Sequence, residues 1–336
     1  MTFDAVLLSA GLGTRLRPLT HHRPKPLVPV CGAPVLRYAV ALLARHGHQH
    51  AAINTCHLAA AFTPWHGRVI DGVRLTVWRE PGPEPMGTGG ALRDLASQLS
   101  PRVTALAADV LTDADLGALR SALDHADVAV GLRPATQAER QRYGAVGTDA
   151  SGRIAHLRQR RSQHPAPGLR FEHHATGLHA LRGPLAATLP SDPRELDVVE
   201  ALWVPAMDAG RLSGVSHPGL WIDMGDPAAC LSANLAVLTT QVPLAFDPFA
   251  EAAFARGPRG QVGAPPPGVT VSGCAWVGRG ARVPEGAALA DAIVGHDAHL
   301  QPGTSLTRVV VWDGVTVPAG TWRNGIFHDG GWSPVV

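Results

Sequence analysis

The sequence predicts an α/β protein in three parts. A mainly parallel sheet with helices on both faces spans 1–240, a proline- and glycine-rich linker spans 241–268, and a parallel β-helix spans 269–336. Three observations carry this. Strand and helix signals alternate through the first part. Gly257-Pro258-Arg259-Gly260 and Pro265-Pro266-Pro267-Gly268 then break the pattern. Beyond them apolar residues recur every six positions at Val271, Val277, Val283 and Leu289, slip by one to Val294, resume at Leu300 and Leu306, and slip again to Val311 and Val317. Six is the period of neither a helix nor a strand. It suits triangular coils, about three of them, that turn one apolar residue inward on each flat side. An irregular β-rich tail is the competing reading of so loose a repeat.

The elements follow in order. The apolar run Ala5-Val6-Leu7-Leu8 reads as a first strand. Val35, Leu36, Ala39, Val40, Leu42 and Leu43 give a helix over 34–46, which Gly47 stops. Residues 51–55 and the alternating Val73, Leu75 and Val77 read as strands. Gly87-Thr88-Gly89-Gly90 opens a helix through Leu99, and Val103 to Ala108 is a buried strand ending at Asp109. A helix over 115–127 leads to a strand at 128–130. Residues 143–146 and 153–157 flank Asp149-Ala150-Ser151-Gly152, the mark of a hairpin beside the main sheet. A strand at 176–181 and helices at 195–209 and 227–240 complete the first part.

The 336 residues are 45% hydrophobic and 17% charged, with a formal net charge of +2, so the chain can build a sizeable core and offers no charge reason to bind nucleic acid. No apolar stretch reaches the ~20 residues needed to span a bilayer, and no secretory leader precedes the first strand, so no membrane partner is expected. Cys31, Cys56, Cys230 and Cys274 are scattered, which fits free thiols in a reducing cytoplasm. His46, His48 and His50 could suggest a metal site, but alternate histidines in a loop are more often solvated. His173-His174, placed ahead of a strand, is read the same way.

The most informative segment is 9–30, Ser-Ala-Gly-Leu-Gly-Thr-Arg-Leu-Arg-Pro-Leu-Thr-His-His-Arg-Pro-Lys-Pro-Leu-Val-Pro-Val. It joins a Gly-x-Gly turn, just past the first strand, to the cations Arg15 and Lys25. Such a turn presents backbone N–H groups to phosphate at the ligand-binding end of an open sheet. A Walker A loop is excluded by spacing, and the dinucleotide fingerprint is excluded because Leu16 stands where its third glycine belongs.

With Pro24 and Pro26 around Lys25, the whole string resembles the signature of the sugar-1-phosphate nucleotidyltransferases. The resemblance implies a Rossmann-like catalytic domain, and the hexapeptide tail resembles the left-handed β-helix found on many members. It implies attack by a sugar-1-phosphate oxygen on the α-phosphorus of an NTP, with pyrophosphate leaving. The problem is then one of charge neutralisation and in-line alignment, met with Mg²⁺ held by carboxylates.

On this resemblance Asp109, ending its strand, and Asp223, in Trp221-Ile222-Asp223-Met224-Gly225, are the Mg²⁺ ligands. Either could instead be a helix or turn cap. Arg15 and Lys25 are the catalytic cations, the first a planar fork for phosphate oxygens and the second a compact point charge. Ala10, Gly11, Gly13 and Thr14 cradle the triphosphate, and Gly87 and Thr88, in Glu84-Pro85-Met86-Gly87-Thr88-Gly89-Gly90, receive the nucleobase. Tyr143, Gly144, Gln159, Arg160 and Thr176 face the sugar. There the chain departs from the family: Gln159-Arg160-Arg161 replaces Glu-Lys-Pro, Ala175-Thr176-Gly177 replaces Asn-Ala-Gly, and Ala108 replaces the glycine before the metal aspartate. These changes leave the reaction class standing and the sugar open.

Residues 53–58 and 176–179 are similar to mannose-1-phosphate guanylyltransferase-like and N-acetylmuramate-1-phosphate uridylyltransferase-like proteins. GDP-mannose is thus the first product expected, with uridylyl transfer to N-acetylmuramate-1-phosphate or guanylyl transfer to a heptose-1-phosphate as alternatives. A non-catalytic regulatory subunit that binds nucleotide sugar is a different class, opposed by the retention of Arg15, Lys25, Asp109 and Asp223. Acyl transfer by the tail is a third, opposed by its shortness. The tail is expected to join copies into a homo-oligomer or to cap the catalytic domain.

Overall fold

A computed structural model describes residues 2–164, 166–192 and 194–335. The chain forms two compact units, and each draws on more than one stretch of sequence. The first takes residues up to Gly11, Ala39–Ala108 and Thr112–Trp221; the second takes Leu12–Tyr38, Asp109–Leu111 and Ile222–Val336. This is not the division at 240 and 268 that composition suggests. Contacts between distant stretches decide it, and composition does not record those.

The first unit is a mixed α/β structure on a large sheet. Leu99–Ala107, Phe3–Leu8, His50–Thr55 and Val73–Arg79 lie side by side in parallel, with Ala5 paired to both Thr104 and Ala51, and Ala51 to Leu75. Strands covered on both faces read as near-continuous apolar runs, and Ala5, Val6 and Leu7 are wholly buried. Val6, Leu92, Val103, Ala105, Val128 and Leu181 share one core, each large aliphatic contributing ~1.5–3 kcal/mol on burial.

The remaining strands are longer or shorter than the sequence suggests. Arg170–Arg182 is one strand, so His173 and His174 lie within it. Gly177, at φ +79°, marks a break in its register. Its early residues pair with the hairpin Ala145–Thr148/Ile154–Leu157, and its later ones with Leu99–Ala107 and Val128–Pro134. Tyr143 closes a short helix, Gln137–Tyr143, set by a Thr136/Glu139 capping box. The other helices are Val35–Arg45, Gly87–Leu95, Leu116–Ala122 and Pro227–Thr239, while Val199–Trp203 is a π-helical turn running into Val204–Asp208.

In the second unit Thr270–Gly278, Ala288–Val294, Thr304–Val311 and Gly320–His328 stack in parallel. Thr270 pairs with Ala288, Ala288 with Ser305 and Ser305 with Thr321, one rung every 16 to 18 residues. All nine residues of the six-residue series meet in a single core: Val277, Leu289, Val294, Leu300, Leu306, Val311 and Val317 are buried, with Val271 and Val283 packed against them. The rungs bend at one recurrent position, where Gly273, Asp291, Arg308 and Asn324 all take φ between +47° and +70°.

The 241–268 stretch is more than a linker. Ala252–Gly257 and Gly260–Val262 form an antiparallel hairpin whose first strand pairs with Thr270–Gly278. Gly257-Pro258-Arg259-Gly260 is the turn of that hairpin, with Gly260 at φ +104°; turn chemistry and linker chemistry share one composition. Among the described residues no helix is long and apolar enough to cross a membrane.

Candidate active site

Within the second unit, residues 12–38 carry the signature segment. Gly13 sits at φ +62° ahead of the short turn Thr14–Leu16, and Thr20 donates its hydroxyl to Gly13 O at 2.8 Å. Buried Leu16 and Leu19 anchor the loop, which leaves Thr14 and Arg15 exposed. The Arg15 guanidinium has no carboxylate partner among the described residues.

Lys25 is different. It begins the turn Lys25–Leu27 between Pro24 and Pro26 and is 9% exposed. Its Nζ lies 2.6 Å from Asp109 Oδ2 and 3.1 Å from Asp223 Oδ1. The two carboxylates are brought together by their own backbones, because Val110–Thr112 pairs with Trp221–Asp223 as a two-stranded ribbon. Burial works against the ammonium, but Asp109 and Asp223 outweigh it and hold the Lys25 pKa above the ordinary lysine value.

This arrangement tests the fit of a divalent cation. Two hard carboxylate oxygens, one from the turn before Val110–Thr112 and one from the end of Trp221–Asp223, already converge on one positive charge, which is the donor chemistry Mg²⁺ requires. Among the described residues no group of three or more His, Cys, Asp or Glu side chains forms a metal cluster. Two carboxylates with phosphate oxygens completing the shell match the way Mg²⁺ is usually held. His46, His48 and His50 serve other ends. His46 faces Asp115, His48 is buried between Leu43 O and the Thr104 hydroxyl, and His50 meets the Thr76 hydroxyl.

In the first unit the start of the signature segment and the Gly87 turn are tied by a buried relay that the sequence reading missed. Ser9 N–H donates to Asn54 Oδ1, the Asn54 amide donates to Glu80 Oε1, and Met86 N–H donates to Glu80 Oε2, each at 2.7 Å. Burial raises the Glu80 pKa, against the lowering effect of those two donors. The only sequence signal for it is a carboxylate at the end of an alternating strand. Ala10 is buried just after Ser9, and Gly11 is open on its Cβ side. Gly87 is at φ +71°, and a Cβ there would stand 2.4 Å from Leu196 O. The glycines of this turn therefore also admit the backbone of 194–198, and the Thr88 hydroxyl accepts from Val198 N–H.

A cavity of about 210 Å³ in the same unit is lined by Tyr143, Gly144, Leu157, Ala175, Gly177 and Trp203, with Arg158 at its wall. Tyr143 stacks on His174 at 4.9 Å, and both meet Trp221, which donates its indole N–H to Thr176 O. Three expected sugar contacts are not brought here. Gln159 is exposed, Arg160 pairs with Glu200 at 3.0 Å, and the Thr176 hydroxyl is buried on Gly131 O. Arg158, in the turn that follows Ile154–Leu157, is at φ +53° and also pairs with Asp197 and Glu200.

The nucleotidyl transferase family matches residues 4–240. The chain belongs to that family. This nucleotidyl transferase is 28% identical over 94% of its length to a mannose-1-phosphate guanylyltransferase of Mycobacterium tuberculosis, of which it covers 82%. It is 28% identical over 68% of its length to an N-acetylmuramate alpha-1-phosphate uridylyltransferase of Caulobacter vibrioides, covering 95% of that protein. It spans 64% of a UTP–glucose-1-phosphate uridylyltransferase of Synechocystis, at 25% identity over 71% of its own length. Of a bifunctional GlmU protein of Methanococcus maripaludis it spans 53%, at 26% identity over 69% of its own length. The solved UDP-glucose pyrophosphorylase from Acinetobacter baumanii shares the fold, with a TM-score of 0.59 at 20% identity over 70% of this chain and 93% of that one. The chain is therefore an enzyme of nucleotidyl transfer.

Proposed function

We propose that the protein transfers a nucleotidyl group from an NTP to a sugar-1-phosphate, with GDP-mannose the first product to test. The observation that carries this reading is the convergence of Asp109 and Asp223 on Lys25. In the reaction a sugar-phosphate oxygen forms a bond to the α-phosphorus while the bond to the leaving pyrophosphate breaks. Both partners are anions, so rate enhancement comes from fixed positive charge and alignment. Arg15, exposed and without a carboxylate partner among the described residues, offers its fork to the triphosphate, and the amides at Gly13 and Thr14 add donors. Lys25 supplies a second positive charge. Asp109 and Asp223 would hold Mg²⁺, which when bound supplies charge neutralisation and substrate orientation. Glu80 and Asn54 hold Ser9 and Met86, and with them the loops expected to take phosphate and base.

The likeness to the guanylyltransferase across 94% of this chain favours GDP-mannose. A second reading, uridylyl transfer to N-acetylmuramate-1-phosphate, is favoured by the cavity. Leu157, Ala175, Val199 and Trp203 give it apolar walls suited to an acyl or lactyl substituent. The rung spacing of the second unit supports the left-handed β-helix, and four free thiols suit a cytoplasmic enzyme. A matrix of NTPs against sugar-1-phosphates, read by pyrophosphate release, tests the reading. Release should occur with GTP and mannose-1-phosphate; no release from any pair would end it.

A further inference from the structure

The second unit holds the C-terminal coils together with residues 12–38, and the segment that carries Lys25 is fastened to those coils at both ends. On one side, Arg23 donates to Asp329 through Nε at 3.3 Å and through Nη2 at 3.2 and 3.0 Å. The Arg23 guanidinium also lies 4.7 Å over the Trp312 ring, which is buried in the coils. Asp329 stands at the tip of the turn between Gly320–His328 and Gly331–Pro334. On the other side, Gly32 faces buried Trp276 so closely that a Cβ would lie 2.1 Å from the ring. Beside it the Cys31 N–H donates to Asn234 Oδ1, on the helix Pro227–Thr239, at 3.0 Å. Lys25 is two residues from Arg23, with Leu27 N–H closing on Pro24 O at 2.8 Å.

We propose that the coils are the platform on which the reactive cation is held. In this reading Asp329, acting through Arg23, sets where Lys25 stands, and Arg23 and Asp329 are positioning residues. The pair spans 306 positions of sequence, so it ties the end of the repeat to the phosphate segment. A planar guanidinium bonded to a carboxylate and laid over an indole is constrained in direction as well as place. That constraint passes through Pro24, whose fixed φ leaves little slack before Lys25. The tail then has a part in catalysis that capping or oligomerisation does not supply. The proposal rests on the phosphate-handling reading of Lys25.

Two readouts test it. Amide hydrogen exchange over residues 14–28 should quicken in Asp329→Ala and in Arg23→Ala, with exchange in Ala288–Val294 unchanged. Turnover should fall about tenfold in either variant with KM for the NTP little altered. The double variant should be no slower than the singles, and Asp329→Glu should recover most of the rate. Asp329→Asn, which keeps an acceptor without the charge, covers the case in which the alanine variant folds poorly. Unchanged exchange over 14–28, additive losses in the double variant, or quickened exchange throughout the coils would each overturn the proposal. Should the wild type release pyrophosphate with no substrate pair, the nucleotidyl reading falls, while the exchange result still decides the positioning claim.

Discussion

The Lys25 ammonium lies 2.6 Å from Asp109 Oδ2, closer than its 3.1 Å approach to Asp223 Oδ1, so a tethered cation holds the two carboxylates together. All three side chains are largely buried. Removing one member of such a group leaves the others short of a partner, which costs more than a surface pair would. For Asp109→Asn and Asp223→Asn we expect turnover to fall by about 10²–10³ with the far-ultraviolet spectrum unchanged. Mn²⁺ titration should show weakened binding in each. Wild-type rates at limiting metal in both variants would remove the carboxylates from the mechanism.

Lys25→Met makes the opposite prediction for the metal. If Asp109 and Asp223 hold the metal as proposed, the Lys25 ammonium competes with it for the same two carboxylates, and an ion pair is given up when the metal binds. Without Lys25 the carboxylates face each other uncompensated. Mn²⁺ should bind the substrate-free variant more tightly than the wild type, while turnover falls by ~10² or more. Calorimetry without nucleotide, set beside steady-state rates, separates the two effects. Weaker metal binding in the variant would contradict the competition.

The relay through Glu80 ties Ser9 to Met86. Glu80→Ala strands the Asn54 amide and the Met86 N–H in a buried place, at a cost of about 1–3 kcal/mol for each unsatisfied group. Glu80→Gln keeps one acceptor and should cost less. Both should raise KM for the NTP more than they lower kcat. The raised Glu80 pKa adds a pH signature. A carboxyl whose folded pKa lies above its unfolded value favours the folded state when protonated. The stability of the wild type relative to Glu80→Gln should therefore rise as pH falls through the raised value toward about 4.5. Denaturant midpoints at a series of pH values check the sign.

Much of this architecture was legible because its patterns are local. The six-residue spacing from Val271 to Val317 marked out one core, and the Gly-x-Gly segment with Arg15 and Lys25 named the family. What escaped was long in sequence and short in structure. The ribbon that joins Asp109 to Asp223 is three residues a side, too short to carry a period. Nothing in Arg23 or Asp329 announces a pair. Around 157–160 the sequence pattern does not say which side chain meets the cavity. Arg158 stands at the cavity wall and Gln159 is exposed, and both fall in the turn after Ile154–Leu157, where no strand alternation assigns a face. The proline and glycine of 257–260 spelled a turn as readily as a linker.

His179 supplies the last prediction. It lies on Arg170–Arg182 between Ala105 and Val130, 1% exposed, with its ring 5.3 Å from Trp203. Neither ring nitrogen has a hydrogen-bond partner among the described residues. Burial alone lowers its pKa to about 4, since a charged imidazole there has nothing to answer it. In the unfolded chain the same group titrates near 6.5. Below that value the unfolded state takes up the proton and the folded state does not, so stability falls as pH drops from about 6.5 to about 4. The loss approaches ~3 kcal/mol at about 1.4 kcal/mol per pKa unit. His179→Leu keeps the bulk, removes two unsatisfied nitrogens and deletes this titration. The variant should match or exceed the wild type at pH 8 and exceed it by a margin that widens as pH falls toward 4. Urea denaturation at pH 8, 6, 5 and 4 reads that margin directly, and parallel curves for the two proteins would show that His179 meets a partner in the folded state.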